Sequence, residues 1–194
     1  MFIRRRRWFP ELRAEIEQTG LPRWIVGPNR LHYWWIPDWH DAYPDAEIYL
    51  APRIREQSGD RLTFEATELD RRSGYPWDEQ IATLPVAGSF MTEIVFFHRR
   101  SRTLVLTDLI ENFEPDKVES LMMKAMIWAG GVRDPDGSMP RDMRMAFARC
   151  RAELKVAVEA MIGWNPDAII LAHGRWHDRD GRSELQRAFR WLLD

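Results

Sequence analysis

Cysteine is nearly absent: Cys150 is the single one in 194 residues. One thiol cannot close an internal disulfide, so a reducing, cytoplasmic setting is the expected one. An excess of one charge sign is missing too. With 28 Lys and Arg against 30 Asp and Glu, the net charge is −2. That balance argues against a general nucleic-acid or anionic-membrane binder and leaves a small molecule as the expected partner. No apolar run approaches the roughly 20 residues that span a bilayer. The basic start, MFIRRRRWFP, has no apolar stretch behind it, so it does not read as a secretory signal. Repeats, low-complexity tracts and linkers are also lacking, and one domain over residues 1–194 is expected.

What is present is a soluble globular composition, 45% apolar and 30% charged. Ten Trp residues are unusual for this length. Such bulky side chains are expected to fill a core or wall a pocket.

Punctuation and periodicity divide the chain. FPELRAEIEQTG reads as a helix entered at Pro10 and stopped by Gly20. RWIVGPN and AEIYLAP read as buried strands, closed by Gly27–Pro28 and by Pro52. RLTFEATEL and EQIATLPV are weaker strands, whereas TEIVFFH and RTLVLTD are strong ones whose short connection favours a hairpin. The second half turns helical. DKVESLMMKAMIWAGG predicts a helix and VRDPDGSMP a loop. A long helix is expected from about Arg141 to Gly163, with Met143, Phe147, Cys150, Leu154, Val158 and Met161 on one face. DAIILAHG predicts a buried strand, and SELQRAFRWLLD a closing helix with Leu185, Phe189 and Leu192 inward.

Three of the five His residues follow apolar, strand-like runs: His32 after RWIVGPNRL, His98 after TEIVFF and His173 after AIILA. Asp108 follows TLVLT in the same way. Strands that all end in His or Asp can gather those groups at one sheet edge. Imidazole and carboxylate together suit Zn, Fe or Mn. The plainer alternative makes each a lone polar cap on its strand.

Four stretches carry a resemblance: IVGPNRLHYWWIPDWHDAYPDAEIYLAP, EIVFFHRRSRTLVLTDLIENF, PDAIILAHG and the helical tract before the last. Together they resemble the metallo-β-lactamase superfamily, and within it a branch known only as a domain of unknown function. The resemblance implies an α+β fold, an αββα sandwich trimmed or rebuilt at its N-terminus, where an opening hairpin is not evident. It implies that His98 binds a first metal, Asp108 bridges and His173 binds a second. His32 matches the first His of the superfamily's HxHxDH motif.

The remaining motif positions depart from the pattern: Trp34, Ile36 and Pro37 stand where His, Asp and His would be. At most one divalent ion is therefore expected, held by His32, His98, Asp108 and His173, with Asp108 also a candidate base. Asp38 and His40 are alternative donors, and Asp38 reads equally as a helix N-cap. Trp34, Trp35 and Trp39 either wall a flat pocket or fill the space of lost ligands. Arg99, Arg100 and Arg102 either grip an anion or form a solvated turn. His177 either supports a metal ligand or is exposed, and Cys150 is expected in the core. Two functions follow: a mononuclear metal-dependent hydrolase of an ester or phosphoester, or a non-catalytic scaffold for a small molecule or partner.

Overall fold

The computed structural model describes residues 10–194; the basic run Arg4–Arg7 lies outside them. The chain falls into two compact units, residues 1–69 and residues 70–194.

The first unit opens with α1 (Pro10–Thr19) and carries β1 (Trp24–Gly27), α2 (Ile36–Ala42), β2 (Glu47–Leu50), α3 (Ile54–Ser58) and the short β3 (Thr67–Glu68). Its three strands form a parallel sheet in the order β1-β2-β3. The parallel direction follows from α2, which gives the chain its crossover between β1 and β2. Ile25, Ile36, Ile48, Leu50 and Ile54 are its buried apolar centre. The expected strand over RLTFEATEL shrinks to two residues, both exposed and pairing only with β2.

The second unit holds β4 (Ile81–Ala87), β5 (Thr92–His98), β6 (Thr103–Leu106) and β7 (Ala168–Leu171) in one mixed sheet, in that order. β4, β5 and β6 are antiparallel neighbours, so the predicted β5–β6 hairpin forms, and β7 joins β6 in parallel. Helices α4 (Leu121–Gly130), α5 (Arg141–Ala146), α6 (Arg151–Gly163), α7 (Gly181–Ala188) and α8 (Arg190–Leu193) complete it. Leu84, Val95, Leu104 and Ile169 meet Leu154, Val158, Met161, Leu185 and Phe189 in its core. Burying each such side chain contributes about 1.5–3 kcal/mol.

The long helix expected over residues 141–163 is broken. Ser89 N–H donates to the Ala146 carbonyl at 3.1 Å, and the Ser89 hydroxyl donates to it as well. Cys150 N–H, the partner that carbonyl would have in a continuous helix, bonds Phe147 O instead. Phe147 drops into the core, 1% exposed, over Gly88, where a β-carbon would stand 2.8 Å from its ring. Cys150 thus sits half-buried at the break and not on a helical core face. No helix among the described residues is long and apolar enough to cross a membrane.

Candidate metal centre

Register assembles a row of polar side chains across the second unit's sheet. Leu106 pairs with Leu171 in the parallel β6–β7 ladder. Two residues further along each chain stand Asp108 and His173, and His173 Nε2 lies 3.1 Å from Asp108 Oδ1. In the β5–β6 hairpin Phe96 pairs with Val105. Continuing that register three residues places Glu93 opposite Asp108. Glu93 is 0% exposed and accepts three backbone hydrogen bonds: Oε1 from Thr107 N–H at 2.8 Å, and Oε2 from Asp108 N–H at 2.9 Å and Leu109 N–H at 3.1 Å. A buried carboxylate thereby holds the turn that presents Asp108.

The loop carrying His173 is fixed from another side. Asn112 N–H donates to the His173 carbonyl at 3.1 Å, and Arg175 N–H donates to the Asn112 carbonyl at 2.8 Å. The Asn112 amide donates to Asp134 Oδ1 and Arg175 O and accepts from Gly137 N–H. Between the two backbone bonds lies Gly174 at φ +91, where a β-carbon would come within 2.0 Å of Asn112 O. Only glycine fits that approach. The Phe113 ring stacks on His173 with centroids 6.1 Å apart.

The electrostatics are those of crowded, buried acids. Burial first, and then the charge on Asp108, raises Glu93 to about 7, against the pull of the hydrogen bonds from Thr107 and Asp108. The hydrogen bond to Asp108 raises His173 above its ordinary value, against desolvation. One carboxylate, Asp108, thus meets the imidazole, with a second, Glu93, buried behind it. A divalent cation would balance that charge, and carboxylate with imidazole is a donor set that zinc, iron and manganese accept.

His98 does not join this row. It ends β5 at the hairpin, paired with Thr103, and its Nδ1 lies 2.7 Å from Ser101 Oγ. Antiparallel strands place consecutive strand ends at opposite edges, and β6 alone separates the two by roughly 10 Å. The expectation that His98 converges with Asp108 and His173 is corrected by this topology. Nearby, Arg102 pairs with Asp167 at 3.0 Å and Arg99 donates to Asp78 O at 3.3 Å, so both fasten the turn. Burial lowers the pKa of His177, which lies 3.7 Å from Glu184.

In the first unit, His32 closes a turn after β1. Asn29, fully buried, accepts His32 N–H on both its backbone carbonyl at 3.1 Å and its Oδ1 at 3.2 Å. Ile36 is buried and Pro37 lies in the first turn of α2. Trp35, not Asp38, is the N-cap of that helix, and Asp38 is exposed in its first turn. His40 packs on Phe64 with ring centroids 4.6 Å apart. Trp34 is 49% exposed, stacked on Tyr33 and covered by the Arg61 guanidinium, so it does not fill a buried space.

No family model and no curated protein sequence matches the chain. Solved structures do. A metallo-β-lactamase from Pontibacter korlensis aligns with 95% of this chain and 76% of its own, at TM-score 0.58 and 10% identity. FIM-1 from Pseudomonas aeruginosa, a metallo-β-lactamase in its mono-zinc form, aligns over 95% and 74% at TM-score 0.55 and 15% identity. The chemotaxis sensor ODP, in a peroxy diiron state, aligns over 96% and 78% at TM-score 0.57 and 14% identity. The chain has the metallo-β-lactamase fold.

Sequence reading of this metallo-β-lactamase fold missed Glu93, Asn112 and Gly174. A Glu inside the apolar run TEIVFFH was a signal that the hairpin register would have connected to Asp108, and a Gly directly after His173 marked a close backbone approach.

Proposed function

We propose that the chain binds one divalent metal ion through Asp108 and His173, and uses it for slow hydrolysis of an ester or phosphoester. The observation that carries this reading is the Asp108–His173 pair at parallel strand ends, with Glu93 buried behind it. An imidazole with a carboxylate is a donor pair suited to such an ion. When bound, the ion would polarise the ester carbonyl or phosphoryl oxygen and acidify water. The chain's own contribution is positioning. Glu93 fixes the Asp108 turn and Asn112 fixes the His173 loop.

A non-catalytic binding scaffold is the second reading. It is favoured by Trp34, Ile36 and Pro37, three side chains that cannot coordinate such a cation. Elemental analysis of the purified chain tests the first. About one ion per chain is expected, lost in Asp108→Asn and His173→Ala, followed by turnover in an ester and phosphoester screen with added Zn, Mn or Fe. Metal retained by both variants would overturn the ligand assignment. Metal bound without any turnover would select the scaffold.

A further inference from the structure

Helix α4 reverses the usual amphipathic arrangement. Its sequence, LMMKAMIWAG, has one charged residue, Lys124. At 100° per residue, Leu121, Met122, Ala125, Met126, Trp128 and Ala129 share one face of about 160°. All six are exposed, and Leu121, Met122, Met126 and Trp128 are 82%, 72%, 58% and 74% exposed. Ile127, on the opposite side, is the residue the helix buries. Helix formation is locally secured: Ser120 caps the N-terminus by accepting Met123 N–H, and Gly131 ends it in the left-handed conformation. A stable, well-capped helix thus presents a wholly apolar face to solvent.

We propose that this face is a homodimer interface, with α4 packing against α4 of a second copy about a two-fold axis. Area is the first argument. At about 200 Å² per large side chain, the four residues expose on the order of 600 Å². Two such faces would bury about 1,200 Å², which reaches the lower bound of specific interfaces and exceeds most crystal contacts. It is also at the top of what a monomer ordinarily exposes in one patch.

Charge is the second argument. A face with no charged group offers nothing to select an acidic or basic partner, whereas two identical apolar faces are complementary to each other. A bilayer surface is the rival occupant, and helices that lie on membranes carry Lys and Arg on their polar side. Here Glu114, Asp116 and Glu119 stand against Lys117 on the approach, Lys124 in the helix and Arg141, which donates to the Ala129 carbonyl, so the surroundings are of mixed sign and not the basic border of a membrane-surface helix. Shape agrees with helix–helix packing. Ala125 and Ala129, four residues apart, form a shallow groove between the Leu121 and Trp128 end and the Met122–Met126 ridge. Ridges spaced by four residues fit such grooves in the commonest helix-packing class.

The test is sedimentation velocity of the full chain from about 1 to 100 µM, beside Met122→Glu and Met126→Glu made together, and Trp128→Arg separately. A dimer that dissociates at least tenfold more readily in both variants, with unchanged far-UV circular dichroism and unchanged melting of the monomer, is expected. Because the replaced side chains are more than half exposed, the monomer fold should not depend on them. A monomeric wild-type chain at 100 µM would overturn the proposal. So would a dimer unaffected by the substitutions, or cosedimentation with phosphatidylcholine vesicles that the same substitutions abolish.

Discussion

Replacing Glu93 by Gln removes one buried negative charge and keeps the shape of the side chain. The Glu93 carboxyl stands at about 7 against an ordinary 4.5, through burial and then through Asp108. The native protein therefore binds this proton more tightly than the unfolded chain does. Stability from the group is fully present below about pH 4.5, and it is lost as the pH rises through about 7. A rise from 4.5 to about 7 corresponds to about 3 kcal/mol. Gln does not titrate, so the variant lacks this loss. It has a separate cost, because its amide nitrogen must face either Thr107 N–H or the Asp108 and Leu109 N–H groups. Leaving such donors without an acceptor costs about 1–3 kcal/mol at every pH. Urea unfolding in a chelating buffer at about pH 4.5 and about pH 8 separates the two effects. Wild type is expected to lose about 3 kcal/mol more than Glu93→Gln between those conditions, while the variant is the less stable protein at the acidic one. Equal pH dependence in the two proteins would refute the buried-charge argument. His173 titrates in the same direction, since its pKa is also raised; the Asp108 hydrogen bond that chiefly raises it is kept in the variant, and only the smaller contribution of the Glu93 charge is lost.

Gly174→Ala should destabilise the second unit by more than about 2 kcal/mol and lower metal retention, because the new β-carbon would overlap the Asn112 carbonyl at a backbone angle that favours glycine. Thermal melting and metal analysis on one preparation check both effects, and an unperturbed melt would contradict the geometry. His98→Ala, by contrast, should leave metal content unchanged and shift stability by no more than about 1 kcal/mol, since His98 lies at the hairpin edge of the sheet. Loss of metal in that variant would show that the hairpin end reaches the centre after all.

The row of Glu93, Asp108 and His173 shows what a linear reading can and cannot reach. Asp108 and His173 were legible because β6 and β7 are both short apolar runs, each followed two residues later by a polar group. That local pattern survives in any parallel pairing of the two. His98 carried the same local signal and was misleading, because strand direction is not written in a strand's own residues. The hairpin turned β5 against β6 and sent His98 to the far edge. Glu93 was hidden for the complementary reason: it stands near the start of its strand, and only the register brings it opposite Asp108.

Local chemistry set the elements themselves. Gly20, Gly27 with Pro28, and Pro52 bounded α1, β1 and β2 near where the structure ends them, and periodicity identified Leu154, Val158, Met161, Leu185, Phe189 and Leu192 as core. Those signals act within a few residues, so the sequence alone determines them. Competition between distant groups lay beyond it. The helix over residues 141–163 broke because Ser89, more than fifty residues upstream, took the Ala146 carbonyl. Asn112 became the brace of the His173 loop because Gly174 lets two backbones meet. Such contacts depend on which chains the fold brings together, and that is decided only when tertiary packing chooses among partners that local sequence leaves equally open.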